Sequence, residues 1–129
     1  MENDSKTIRS FTDLDAWKEG HKLALIMYEV TKTFPKEEIF SLIMQMRRAA
    51  VSITSNIAEG FSRQSYKEKL QFYSISLGSL TELQNQSLVA RDVKFMSEVD
   101  FQRIAQQSIR VSKLVNGLIK KCRSVIRDT

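Results

Sequence analysis

Apolar residues recur at steps of three and four in four long stretches of the chain, with polar runs between them. That spacing puts them on one side of a helix, which turns once in about 3.6 residues. The last stretch is the most regular. Phe101, Ala105, Ser108, Ser112, Val115, Ile119, Cys122 and Ile126 alternate steps of four and three throughout. In the first, Leu14, Trp17, His21, Ala24 and Tyr28 keep the same rhythm, and Leu23, Met27 and Val30 add a second apolar set. The second stretch carries Ile39, Leu42, Met46, Ala50, Ile53 and Ile57. Rotated by about 100° lies a further stripe of Phe40, Met44, Val51 and Ala58. Bundle helices present seams of this kind to one another.

Start and stop signals bound the same four segments. Four glycines and one proline are too few to punctuate a many-stranded sheet. Thr12 with Asp15 forms a shortened capping box for a helix running to about Thr33. Pro35 suits the first turn of the second helix, where Glu37 and Glu38 meet the positive end of the dipole, and Gly60 reads as its left-handed terminator. Ser65 and Glu68 make a capping box for a third helix ending near Arg91. Ser97 with Asp100 opens the fourth, with Met96 and Phe101 at the staple positions. Connections this short make sequential helices antiparallel neighbours. The expectation is an all-α, up-down-up-down four-helix bundle over residues 12–129, after a flexible tail over residues 1–11.

Two stripes exceed what one bundle core needs. The doubled apolar coverage of the second helix points either to burial against another subunit or to a helix set deep in a compact bundle. Gln45, Arg48, Ser52, Asn56 and Glu59 also fall on one side of that helix. They read either as a solvated face or as a buried network at a subunit contact, in which Ser52 and Asn56 bridge Arg48 to Glu59. In the third helix Ser76, Gly78, Ser79 and Glu82 offer small and polar surface for a close approach.

Composition removes most chemistry. With one cysteine, Cys122, and one histidine, His21, a single chain can make neither a disulfide nor a Cys/His zinc site. A di-iron bundle needs two Glu-x-x-His pairs, and the residue three before His21 is Lys18. His21 and Cys122 lie on seams and read as core residues. No phosphate loop or nucleophile elbow is present. The expectation is therefore a protein that is not an enzyme, with no catalytic residues, metal or cofactor. The longest apolar run, Leu23 to Tyr28, is far short of the roughly 20 residues that span a membrane. The first six residues do not resemble a signal peptide, so a soluble, cytoplasmic protein with no membrane partner is expected.

Charge adds one positive feature. The chain holds 20 Lys and Arg against 15 Asp and Glu, net +5, and residues 1–99 are balanced. The whole excess lies in the last thirty residues, on Arg103, Arg110, Lys113, Lys120, Lys121, Arg123 and Arg127. Five of them, Arg103, Arg110, Lys113, Lys120 and Arg127, form one stripe opposite the apolar seam. It reads as a solvated face or as a polyanion footprint. No aromatic residue is interleaved, so a nucleic-acid contact here would be led by phosphates and weakly sequence-specific.

The strings Phe34-Pro35-Lys36-Glu37-Glu38-Ile39-Phe40, Gln45-Met46-Arg47-Arg48-Ala49-Ala50-Val51-Ser52-Ile53 and Ser55-Asn56-Ile57-Ala58-Glu59-Gly60 closely resemble the bacterial "four helix bundle protein" family. Its members are also known as proteins encoded by intervening sequences of 23S ribosomal RNA genes. Gly78-Ser79-Leu80 with Glu82, and Asp13-Leu14 with Ala16-Trp17-Lys18, match the family's third-helix and opening signatures. The resemblance implies an antiparallel four-helix bundle that assembles as a homopentamer. It also implies kinship with the accessory protein of diversity-generating retroelements, a basic pentameric barrel that binds nucleic acid and a reverse transcriptase. Ser41 and Ser76 depart from the usual Gly and Ala, and the connection Asp92-Val93-Lys94-Phe95-Met96 lacks the usual Leu-Gly-Tyr-Ile.

Two functional readings follow. One is an oligomeric scaffold that binds RNA or DNA through the seven cations of the fourth helix. Its subunits would meet through Phe40, Met44, Arg48, Val51, Ser52, Asn56, Glu59 and Glu82. The other is an interaction or structural module that docks an acidic protein partner, with no physiological nucleic-acid ligand.

Overall fold

The computed structural model describes residues 7–129 and contains four α-helices: α1 (Asp15–Thr31), α2 (Met44–Ser62), α3 (Tyr66–Asp92) and α4 (Glu98–Arg127). Among the described residues there is no strand, and no helix is long and apolar enough to cross a membrane. The all-α bundle expected from the periodicity is the fold. The first six residues of the expected tail lie outside the described residues.

Each helix packs on the next in sequence, and α4 closes the square against α1. Ser76 Oγ donates to the Ile53 carbonyl at 2.8 Å, while Lys69 Nζ reaches the Phe61 carbonyl at 2.8 Å. Numbers on α3 thus fall as those on α2 rise, the antiparallel sense. Gln84 to Ser108 with Arg91 over the Phe101 ring across α3 and α4, and Glu29 to Arg103 with Glu19 to Gln107 across α1 and α4, run the same way. The aliphatic core is continuous, with Leu23 and Met27 of α1, Met46 and Ile53 of α2, Leu83 of α3 and Val115 of α4 all at 0% exposure.

Ser65 and Ser97 cap their helices, their hydroxyls accepting from the backbone N–H groups of Glu68 and Asp100. The box expected at Ser65 is half formed, since the Glu68 carboxylate accepts from the Ser65 hydroxyl instead of the backbone. The first cap differs. Ser10, not Thr12, forms a capping box with Asp13 around a 3-10 turn (Phe11–Asp13), and α1 starts only at Asp15. Gly60 does not terminate α2 with a left-handed residue, since it has no positive φ and the helix continues to Ser62. Its value is steric: a Cβ there would sit 2.6 Å from the Tyr73 ring. The left-handed residue lies elsewhere. Lys94 has φ 72°, its N–H donates to Arg91 O at 3.0 Å, and Phe95 N–H donates to Ala90 O at 2.9 Å. These two bonds make a Schellman ending for α3, with lysine at the position that favours glycine.

Two seams are rotated from expectation. α1 buries Ala16, Gly20, Leu23, Met27 and Val30, whereas His21 is exposed and stacks on half-buried Trp17 at 4.7 Å. Of the two apolar sets on α1, the aliphatic one fills the core together with Ala24, and the ring-bearing Trp17, His21 and Tyr28 stay at the boundary. His21 is therefore not a core residue. Before α2 the chain makes a 3-10 turn (Lys36–Glu38) and a π-helical turn (Ile39–Ile43). The wider turn shifts the face by a residue. Ile43 goes into the core, and Ile39, expected there, is exposed.

Candidate nucleic-acid and subunit interfaces

All seven candidate cations of α4 are exposed, opposite the buried line of Ile104, Ser108, Val111, Val115, Ile119 and Cys122. Their partners divide them. Arg103 Nη2 pairs with Glu29 of α1 at 2.7 Å, Arg110 lies 3.7 Å from Glu19 of α1, and Arg127 lies 3.4 Å from Asp128. Lys113, Lys120, Lys121 and Arg123 make no ion pair among the described residues, so their charge is uncompensated. The α1 carboxylates were the missing signal, because a helical wheel of α4 does not show which neighbour lies beside its charged edge. Glu19 also accepts from Gln107 Nε2 at 3.0 Å. That bond, with Lys22 and Arg110 nearby, holds the Glu19 carboxyl below its ordinary range against the opposing effect of burial.

The second apolar stripe of α2 does not sit deep in the bundle. Phe40 is 83% exposed, and Met44 and Val51 are exposed beside it. Met44 and Val51, with Ile39, Tyr28 and Arg47, line an apolar cleft of about 360 Å³ between α1 and the start of α2, and Phe40 lies outside it. Arg47 is held there, its guanidinium 4.6 Å from the Tyr28 ring centre and its Nε donating to Thr31 Oγ1 at 2.8 Å.

The polar stripe of α2 divides as well. Asn56 Nδ2 donates to the Ser52 carbonyl at 2.8 Å, and Ser52 Oγ meets Ser79 Oγ of α3 at 2.8 Å, which clasps α2 to α3. Glu59 pairs instead with Arg63, one turn on, at 2.5 Å. Arg48 is exposed and makes no hydrogen bond or ion pair within the described chain. The expected network from Arg48 to Glu59 is thus absent within one chain, because both ends are exposed and of the middle pair only Ser52 reaches α3. Arg48, Gln45 and Ser52 face Glu82 across a polar cleft of about 550 Å³ between α2 and α3. Glu82 accepts from Gln86 Nε2 at 3.1 Å. Gly78 is exposed with nothing near its would-be Cβ, so no backbone of the same chain makes the close approach its sequence allows.

Cys122 is buried, and burial pushes its thiol above the ordinary value, which makes it a poor nucleophile at neutral pH. Tyr73 beside it is pushed up to about 12, first by its own burial. Among the described residues no three or more His, Cys, Asp or Glu side chains cluster as a metal site.

A crystal structure of a protein of unknown function from the S23 ribosomal protein family of Bacteroides thetaiotaomicron superposes with a TM-score of 0.75 at 21% identity, over 81% of this chain and 95% of that one. At that identity the likeness establishes the shared bundle fold. No curated protein matches the chain. A family model described as "23S rRNA-intervening sequence protein" matches residues 12–117, which takes in α1, α2, α3 and two thirds of α4. The bundle and the motif strings on α1 to α3 therefore have one account: the chain belongs to the 23S rRNA-intervening sequence protein family.

Proposed function

We propose that the protein is a non-enzymatic, oligomeric helical-bundle scaffold that binds RNA or DNA through phosphates on the outer face of α4. The observation that carries this reading is the uncompensated charge of Lys113, Lys120, Lys121 and Arg123 on one exposed helix. Arg103 and Arg110 contribute less, because each already neutralises a carboxylate of α1. Oligomerisation multiplies the field and the number of simultaneous contacts. A homopentamer is the state that the family resemblance implies, and the exposed apolar stripe of α2 supports assembly. The alternative reading, a module docking an acidic protein, draws on the same cations and is separated by experiment.

The test is affinity for a short RNA and a short DNA duplex as salt is varied. Each phosphate contact contributes about −0.9 to the log–log slope on duplex DNA and about −0.7 on single strands, so four free cations per chain give a slope of about −3 to −4. The double reversal Lys113→Glu and Lys120→Glu abolishes binding while helicity and oligomer mass are retained, since both side chains point away from the core. Affinity unchanged by the reversal removes the nucleic-acid reading and leaves the interaction module in its place.

A further inference from the structure

The cationic face of α4 has α1 on one side and α3 on the other, and the two sides differ in charge. On α3 the buried residues Tyr73, Leu80 and Ser87 fall at steps of seven, as do Ser76, Leu83 and Ala90. Residues seven apart therefore keep one face along this helix. Leu88 lines a cleft between α3 and α4, and Thr81, Ser74 and Lys67 precede it at the same steps, all exposed. On α4, where Ser108, Val115 and Cys122 repeat likewise, Ile109 lines that cleft and exposed Asn116 and Arg123 continue its line. The register brings the cationic ends of the two lines together. Gln84 meets Ser108 and Arg91 lies over Phe101, so Lys67 stands level with the turn of α4 between Arg123 and Arg127. Lys69, two residues on, is near enough to Cys122 for its charge to act on the thiol, which gives the same level.

We infer that the phosphodiester backbone bound by α4 runs over the α3–α4 face, where Lys67 of α3 holds a phosphate opposite Arg123. This rests on the nucleic-acid reading above and says which side of α4 the ligand follows. Charge decides the side. Towards α1, Glu19 and Glu29 stand beside Arg110 and Arg103, and a phosphate there meets a carboxylate already in place. Towards α3 that repulsion is missing. Between Lys69 and Arg91 the one acid is Glu82, which lines the polar cleft on the α2 side, and between Asp100 and Asp128 there is none. Glu68, beside Lys67, is engaged by Arg63 and Ser65. Lys67 and Arg123 make no ion pair among the described residues, so both charges are open to a ligand. The groups along the two lines, Ser74, Thr81 and Asn116, are neutral hydroxyls and an amide, of the kind that contact phosphate and sugar oxygens. A face with cations at one end and no acid along it draws a polyanion along its length.

The experiment measures binding of the full chain to a short single-stranded RNA and to a short DNA duplex as salt is varied. Comparing the two probes tells which nucleic acid supplies the backbone. Lys67→Gln removes one contact. At about 0.1 M salt it is expected to weaken binding about fivefold on the RNA and about eightfold on the duplex. The log–log salt slope falls by about 0.7 and about 0.9 respectively. Lys32→Gln makes the same change of charge at an exposed lysine just past the end of α1, at the other end of the bundle, and leaves the slope unchanged. Ser74→Glu places a carboxylate in the middle of the face and weakens binding to both probes. Lys67 and Ser74 are exposed and their replacements are good helix formers, so both variants keep the wild-type circular dichroism. Suppose the wild type binds and Lys113→Glu with Lys120→Glu does not. Either Lys67→Gln or Ser74→Glu matching Lys32→Gln then overturns the path over α3 and leaves the α4 reading standing. A wild type that binds neither probe overturns both.

Discussion

At Lys94 the backbone takes a conformation that costs an L-residue about 1–2 kcal/mol and a glycine almost nothing. The cost is tolerated because the two Schellman hydrogen bonds close the end of α3 and Phe95 is brought onto Phe34 at 5.8 Å. Lys94→Gly is therefore expected to raise stability by about 1 kcal/mol, the strain removed being partly offset by the extra freedom of glycine in the unfolded chain. The measurement is the urea midpoint at constant slope. Gly60 shows the opposite constraint. It lies within helical backbone and is needed for the space under Tyr73, since an added Cβ would come within 2.6 Å of the ring. Both positions show how one residue type serves two unrelated steric demands.

Between elements, α1 and α4 are held by polar contacts as well as by core packing. Gln107 Nε2 donates both to the Glu19 carboxylate and to the Glu19 carbonyl, at 3.0 and 2.8 Å. Hydrogen bonding to its charged form holds the Glu19 carboxyl below its ordinary value of 4.5. A carboxyl with a depressed pKa in the folded state contributes stability above its unfolded pKa and loses it as pH falls through the folded one. Glu19→Gln is thus expected to be less stable than the parent by about 1 kcal/mol at pH 7, the scale of one hydrogen bond. The gap narrows as pH falls below 4.5 and through the lower folded value, and urea melts at pH 7 and in acid measure it. The turn before α2 belongs to the same scale. Its π-helical step exchanges Ile43 for Ile39 in the core and carries Phe40 outward.

For the molecule as a whole, two kinds of surface call for different physics. The α4 face is ionic, and its interactions weaken as salt shortens the screening length to about 3 Å at 1 M. The α2 stripe is apolar, and burying it draws on a driving force that simple salt does not screen. On the proposed reading, raising sodium chloride from 0.1 to 1 M releases nucleic acid and leaves the assembled mass, a multiple of the 14.9 kDa chain, unchanged. Native mass at the two salt concentrations, with bound RNA followed in parallel, separates the surfaces. Loss of assembly at high salt shows instead that ion pairs such as those open to Arg48 hold the copies together.

Local signals in the sequence determined the existence of the four helices and their approximate ends, while of the expected α4 seam Ser108, Val115, Ile119 and Cys122 are buried and Ile104 and Val111 take the core places expected for Ala105 and Ser112. Helical periodicity, the Ser65 and Ser97 caps and the scarcity of turn residues act within a few residues and are written directly in the chain. The motif strings were also legible, because they identify a family without reference to packing. Only the tertiary structure decided which of two apolar stripes faces inward on α1, since both have helical spacing and the choice depends on what the neighbouring helices present. The π-helical turn likewise escaped the pattern, because Ile39 and Leu42 keep α-helical spacing to Met46 while the backbone does not. Partners of the α4 cations lie on α1, more than seventy residues away in sequence. The division of that charge into neutralised and free halves is therefore a property of the packed bundle. Spacing along a chain reports what one element can present, and packing selects which part of it meets water.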